Sequence, residues 1–253
     1  MITRKYYWIA LGIFAYLMFL LNLFPASTAY RLFAPENLRL AGIQGTLWSG
    51  SASFGSIGTI GLHEIQWRLR PWALPLGRVG GDIQARLADG LLSTNFDATL
   101  GNVTFRNLRA STSLESLQNT LPLGGMEGAL SLNLITFESD YNWPATIIGE
   151  VRLGELAVPP LIPGLAGRLI GLGNYVIQFS PSPNSMVVGR FEDESGPLEV
   201  LGILRLTDKR GYVIEGNVRA RENASIELSQ GLDLMTSPPD ASGQREFSLN
   251  GSL

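Results

Sequence analysis

The stretch Glu64–Arg70, "EIQWRLR", alternates apolar and polar residues without a break. Ile65, Trp67 and Leu69 fall on one side of an extended chain, and Gln66, Arg68 and Arg70 on the other. That period of two is the signature of a half-buried strand. The same alternation continues on either side of it. "DIQARLAD" (Asp82–Asp89) sets Ile83, Ala85 and Leu87 together, and "NVTFRNLRA" (Asn102–Ala110) pairs Val103 with Phe105. Further along, "GYVIEGNVRARE" (Gly211–Glu222) places Tyr212, Ile214, Val218 and Ala220 opposite Glu215, Asn217 and Arg219. The final "REFSLNGSL" aligns Phe247, Leu249 and Leu253. Gly, Pro, Asn or Asp bounds each run, so the expected fold is mainly β: an antiparallel, curved or sandwich-like sheet.

Other segments refine this picture. "LEVLGILRL" (Leu198–Leu206) is apolar on both sides, which predicts a strand buried on both faces, and "TDKRG" (Thr207–Gly211) is a hairpin loop after it. Helical signals are few. "STSLESLQNTL" (Ser111–Leu121) opens with hydroxyl residues and carries Glu115, a weak capping pattern. Pro160–Gly173 has room for one or two turns, which its glycines limit. The acidic run "EDES" (Glu192–Ser195) before Gly-Pro reads as a solvated loop. A loose repeat of glycine-led strands, with "PLG" at Pro75–Gly77 and again at Pro122–Gly124, suggests two related halves near 35–110 and 125–253.

Ahead of the strands lies "YYWIALGIFAYLMFLLNLF", Tyr6–Phe24, with no charged residue. As a helix it is about 28 Å long, close to the thickness of a bilayer core. Tyr6, Tyr7 and Trp8 suit an aromatic belt at the first interface, and Pro25 ends the helix. A cleaved signal peptide is the alternative, with Ser27–Ala29 as a small-x-small site. Its apolar core would be only about 7–15 residues long, so an uncleaved anchor is the reading preferred. Residues 1–5 then form a cytoplasmic tail, 6–24 a transmembrane helix, and 25–253 a β-rich body on the far side. Lys+Arg of 19 against Asp+Glu of 22 leaves no basic excess, which argues against nucleic acid as a partner.

The residues that do chemistry are scarce. There is no cysteine, and His63 is the single histidine, at a strand start beside Glu64. One histidine without cysteine does not build a transition-metal site of the usual kind, and no G-x-S-x-G elbow sits between a strand and a helix. Glycine-rich runs lack the Gly-Lys-Ser/Thr of a phosphate loop. The expectation is a protein that is not an enzyme and has no cofactor.

"GTLWSG" (Gly45–Gly50) reads as the first strand after the membrane. Gly45 and Gly50 would permit bends or close strand approach, and Trp48 would cover a sheet edge or mark the membrane interface. Trp67 and Trp72 read as core or sheet-face aromatics. Gly45, Thr46, Leu47, Trp48 and Gly50 are followed by the W-x-L-P-L-G element at Trp72, Leu74, Pro75, Leu76 and Gly77, and later by Trp143–Pro144 and Gly202–Ala220. In these motifs the chain resembles the type II secretion system protein N family of the general secretory pathway in Gram-negative bacteria. The resemblance implies a cytoplasmic N-terminus, one inner-membrane helix and a periplasmic β-rich domain. It also implies other secretion-system subunits as partners, inner-membrane lipid around the helix, and an accessory role in exporting folded proteins across the outer membrane. The family is distantly similar to AsmA-type proteins, whose curved sheets present an apolar concave surface. That likeness implies a second function, the binding or transfer of lipid.

Overall fold

The computed structural model describes residues 3–34, 38–57, 60–118, 124–159, 169–181, 186–207 and 210–252, without the side chains of residues 3–6, 10, 14, 17, 18 and 21. Two helices come first, α1 (Thr3–Asn22) and α2 (Ala26–Phe33). The strands follow: β1 (Leu38–Ala41), β2 (Gln44–Gly45), β3 (Ser49–Ile57), β4 (Ile60–Leu69), β5 (Val79–Leu87), β6 (Gly90–Ala98) and β7 (Val103–Ser113). A short α3 (Leu114–Leu117) leads to β8 (Glu127–Ser139), β9 (Pro144–Val158), β10 (Ile170–Phe179), β11 (Val188–Ser195), β12 (Leu198–Thr207) and β13 (Gly211–Ala220). Finally α4 (Ile226–Met235) precedes β14 (Arg245–Ser252).

All the strands join one 14-stranded antiparallel sheet, not the two layers of a sandwich. From β3 to β14 each strand pairs with the next in sequence. At the other margin β1 and β2 lie end to end along β3, paired with Phe54–Ile57 and Gly50–Ser51. The sheet is therefore open, with edges at β1/β2 and β14. Register shifts recur at β4/β5, β6/β7, β8/β9, β9/β10 and β10/β11. Such bulges bend strands and increase their twist, which curves the sheet. Glu64, with φ +49°, sits at one of them. The extra residue lets Leu62 and Ile65, three apart, both turn into the core.

The alternation read from the sequence gives the sheet one apolar face. A single cross-strand row crosses ten consecutive strands from β5: Ala85, Leu92, Ala110, Leu132, Val151, Ile177, Phe191, Gly202, Gly216 and Phe247. Near one edge Ala52, Leu62, Ile65 and Ala85 form a buried cluster. Near the other, Tyr175, Leu198, Val200 and Val218 are covered by Leu228 of α4. Burying each large side chain in such clusters contributes roughly 1.5–3 kcal/mol. Gly202 and Gly216 have a specific reason to lack side chains. A Cβ on Gly202 would stand 2.4 Å from the Phe191 ring, and one on Gly216 would stand 3.1 Å from Phe247. The two rings meet over this gap with centroids 6.1 Å apart.

Several expectations need correction. Leu201 and Ile203 are exposed, so β12 is buried on one face only; its other face borders the open polar side of the sheet. "EDES" is the end of strand β11, not a loop, because Asp193 has partners that let it enter the sheet. The helix over Ser111–Leu121 shrinks to α3, capped by the Ser113 side chain accepting from the Ser116 N–H, with 119–121 outside the described residues. Of Pro160–Gly173, residues 160–168 lie outside them too, and Ile170–Gly173 begin β10. Neither α2 nor α4 was anticipated. The hairpin at Thr207–Gly211 is present as the β12–β13 connection, with 208–209 undescribed. Leu253 and Pro122–Leu123 are likewise outside the described residues.

The segment Tyr6–Phe24 corresponds to α1, which begins at Thr3 and ends at Asn22, so Phe24 lies beyond the helix and the Tyr6 side chain outside the described ones. Pro25 caps the start of α2. Among the described residues no helix is long and apolar enough to cross a membrane, and the fold by itself gives no support to the crossing expected of this segment.

Candidate functional site

"GTLWSG" is not one strand: Gly45 ends β2, Ser49 and Gly50 begin β3, and Thr46 leads into a tight connection with Leu47 and Trp48 as the turn. The Thr46 N–H donates to the Ser49 carbonyl at 2.9 Å, and its hydroxyl accepts from the Ser49 N–H at 3.2 Å. Gly45 has φ +84°, a conformation that L side chains rarely adopt. Gly50 is required for another reason. A Cβ there would lie 2.5 Å from the Trp67 ring and 2.7 Å from the Gln44 carbonyl oxygen. The Trp67 ring fills that space and its Nε1 donates to the Leu47 carbonyl at 3.0 Å. Trp48 is buried.

This turn is tied to what precedes and follows it. The Leu47 N–H donates to the Phe24 carbonyl at 2.8 Å, and Pro25 bridges to Thr46. The Tyr30 hydroxyl, on α2, donates to the Leu38 carbonyl and accepts from the Leu40 N–H, both at 3.1 Å. On the other side the Leu69 N–H donates to the Trp48 carbonyl at 2.7 Å. The end of α1, the α2 helix and the first sheet edge are thereby fixed together.

Trp72, Pro75 and Leu76 lie on a 3₁₀ turn, Pro71–Leu76, between β4 and β5, and Gly77 follows it. Gly77, at φ +69°, closes the turn by donating to the Ala73 and Leu74 carbonyls. The expectation of a core or sheet-face Trp72 is wrong. The ring is 71% exposed, because the proline-bounded turn leaves the sheet before Trp72 can enter either face. Behind this turn a polar ladder crosses β4–β7. Arg70 donates to Asp82 at 3.1 Å, Asn95 donates to the same carboxylate oxygen, and Asn107 donates to Asn95 at 3.4 Å. The Asn95 hydrogen bond first, and Arg70 after it, hold the Asp82 carboxyl below its ordinary range.

On the apolar face, at the sheet end carrying α3, is a cavity of about 320 Å³ whose lining is apolar but for Thr112, whose hydroxyl donates to Asp89. Leu62, Leu87, Leu92, Leu108 and Leu132 contribute from the strands and Leu117 from α3. Its chemistry suits an alkyl chain and offers nothing to orient a polar substrate. His63 is exposed and meets the Phe54 ring edge-on at 5.3 Å. Among the described residues no cluster of His, Cys, Asp or Glu is arranged to hold a metal ion.

Asp193, on β11, has a side chain that is only 4% exposed. Its Oδ1 accepts from the Val200 N–H at 2.7 Å, and its Oδ2 lies 2.7 Å from Arg221 Nη2 at an angle that makes the contact an ion pair without a hydrogen bond. Beside it, burial pushes the Tyr175 hydroxyl up to about 12. Asp193 adds to that shift and Arg221 opposes it.

The structure thus brings Gly45, Thr46, Leu47, Trp48 and Gly50 into one knot with Trp67. Trp72, Pro75, Leu76 and Gly77 stand on a separate projecting turn of the same sheet end. Reading the sequence missed Tyr30, Leu117 and Asp193. For Asp193 a signal existed, since "FEDES" continues the alternation of β11 with Asp193 on the side of Phe191.

The sequence profile described as type II secretion system (T2SS), protein N, matches residues 36–248. A type II secretion system protein N from Aeromonas hydrophila is 29% identical over 251 residues, covering 95% of this chain and 94% of that protein. No solved structure matches. With a matched region that takes in nearly the whole sheet, from β1 into β14, the chain belongs to the type II secretion system protein N family.

Proposed function

We propose that this chain is a non-enzymatic, single-pass inner-membrane component of the type II secretion machinery. In this reading α1 anchors it and the sheet is a periplasmic platform for other subunits, in support of export across the outer membrane. Family membership supports the secretion role. Support for the anchor comes from the uncharged Tyr6–Phe24 segment and from α1 itself, where Tyr7, Trp8, Ile9, Leu11, Ile13, Tyr16 and Phe19 are all exposed. A helix that is apolar on every side finds its stable environment in lipid.

The observation that carries the platform role is the open sheet. Tyr30 occupies the outward groups of Leu38 and Leu40 on β1, and Ser237 those of Glu246 on β14. The edge offered for strand addition by another subunit is therefore the rest of β14, residues 247–252. Anchoring raises the effective concentration of such an edge at the membrane face. The test is deletion of the gene in a strain that uses this pathway, with complementation by the full chain or by residues 25–253 exported behind a cleavable signal. Loss of exported proteins from the medium, restored fully by the whole chain only, is the expected result. Intact secretion and intact subunit levels in the deletion strain overturn the reading.

A second reading, lipid binding of the AsmA kind, is favoured by the apolar cavity under α3. Phospholipid retained by the purified chain, and lost when Ala110→Phe fills the cavity, would favour it. Equal lipid in both forms counts against it.

A further inference from the structure

We infer that the hairpin tips at 71–78, 99–102 and 140–143 form a foot that rests in the headgroup layer of the bilayer crossed by α1. This rests on the anchor reading above and adds a second membrane contact to it. Strict up-and-down pairing puts the β2–β3, β4–β5, β6–β7 and β8–β9 connections at one end of the sheet. That is the end where α1 terminates, because Leu47 holds the Phe24 carbonyl and Trp48 holds Leu69, one residue before the Arg70 that leads into the 3₁₀ turn.

The tips carry side chains that soluble turns avoid. Trp72 is 71% exposed, Leu76 75% and Leu100 102%, with Leu74 and Tyr141 also exposed. At the opposite end the tight β5–β6 and β11–β12 turns, Ala88–Asp89 and Gly196–Pro197, bear no large apolar side chain, while α4 in the β13–β14 connection there exposes Ile226, Leu234 and Met235. The apolar tips are preformed. Gly77 closes the first, and the Tyr141 hydroxyl donates to the Thr99 carbonyl, joining the other two. Asp140 fixes the third by accepting from the Asn142 and Trp143 N–H groups at 2.9 and 2.7 Å. Successive tips are two strands apart, roughly 10 Å. Tryptophan, tyrosine and leucine on rigid loops, with exposed Arg78 alongside, match the mixed apolar and anionic chemistry of the lipid interface. Together with α1, which Phe24 and Leu47 hold to the first sheet edge, such a foot would give the sheet a second contact that sets its tilt over the membrane.

Since the chain has no cysteine, single probes are easily placed. The full chain carrying Leu76→Cys, Leu100→Cys, Glu222→Cys or Leu11→Cys is labelled with an environment-sensitive fluorophore. Each form is reconstituted into vesicles of phosphatidylethanolamine and phosphatidylglycerol containing a nitroxide-labelled lipid. Probes at 76 and 100 are expected to be quenched at least threefold more than the probe at 222, which lies at the far end of the sheet. If 76 and 100 match 222 while 11 is quenched, the foot is overturned and the anchor stands. If 11 is also unquenched, the anchor fails and the foot with it.

Discussion

Trp67 Nε1 donates to the Leu47 carbonyl across twenty residues of chain, and the same Leu47 donates its N–H to Phe24. One residue therefore links the end of the N-terminal helix to the first full hairpin of the sheet. The Trp67 ring lies against Gly50, where no side chain fits. Trp67→Phe keeps most of the ring but leaves the Leu47 carbonyl short of a donor, at a cost of about 1 kcal/mol. Gly50→Ala forces a methyl against the ring and two carbonyl oxygens, and costs about 1–3 kcal/mol. Urea unfolding of the detergent-solubilised chain checks both through the midpoint. Gly50→Ala with an unchanged midpoint would remove the packing account.

How much of this was legible beforehand depended on range. Alternation in "EIQWRLR" and "DIQARLAD" states which side of a strand is apolar, because side-chain direction is a local property. The single open sheet was less visible, since a sandwich needs the same alternation. "GTLWSG" was misread because its meaning is non-local: Trp67 and Phe24, distant in sequence, decide that Leu47 and Trp48 turn. Trp72 was misread because composition places tryptophan inside, whereas the prolines at 71 and 75 take the chain out of the sheet. Asp193 looked solvated in an acidic run, and only Arg221 and the Val200 N–H explain its burial.

Gly202 should tolerate no side chain while Phe191 is present. Gly202→Ala is expected to destabilise by about 1–3 kcal/mol, as overpacking does. Phe191→Leu alone costs a similar amount through lost contact with Phe247. The double variant should lose less than the sum of the two, since the smaller side chain relieves the ring contact while the Glu215 carbonyl, 2.7 Å from the added Cβ, still resists it. Strict additivity in denaturant midpoints would show that the ring and the glycine are not coupled.

Arg221 and Asp193 should be unequal partners. Arg221→Met leaves a carboxylate that is 4% exposed without its cation, at a cost of about 2–3 kcal/mol because the arginine itself is partly solvated. Asp193→Asn retains an oxygen to accept from the Val200 N–H and removes the buried charge, so it costs less. Thermal unfolding of both variants and their double tests this. Equal losses for the two single variants would contradict the burial argument.

Tyr175 gives the sheet a specific weakness at high pH. Burial, aided by Asp193 and opposed by Arg221, raises its hydroxyl to about 12, and the hydroxyl donates to the Leu172 carbonyl at 3.1 Å. In the unfolded chain the group titrates near 10. The folded state therefore holds this proton more tightly, and the stability that results is fully present below pH 10. It falls as pH rises from about 10 to 12, by on the order of 2 kcal/mol, because the unfolded chain ionises first. Tyr175→Phe should cost about 1 kcal/mol at pH 8 for the lost hydrogen bond and then lose less than the parent between pH 10 and 12. Other tyrosines and lysines titrate in both proteins, so the difference between the two unfolding curves isolates this group. Parallel curves through that window would mean that the phenol ionises as freely in the folded chain as in the unfolded one.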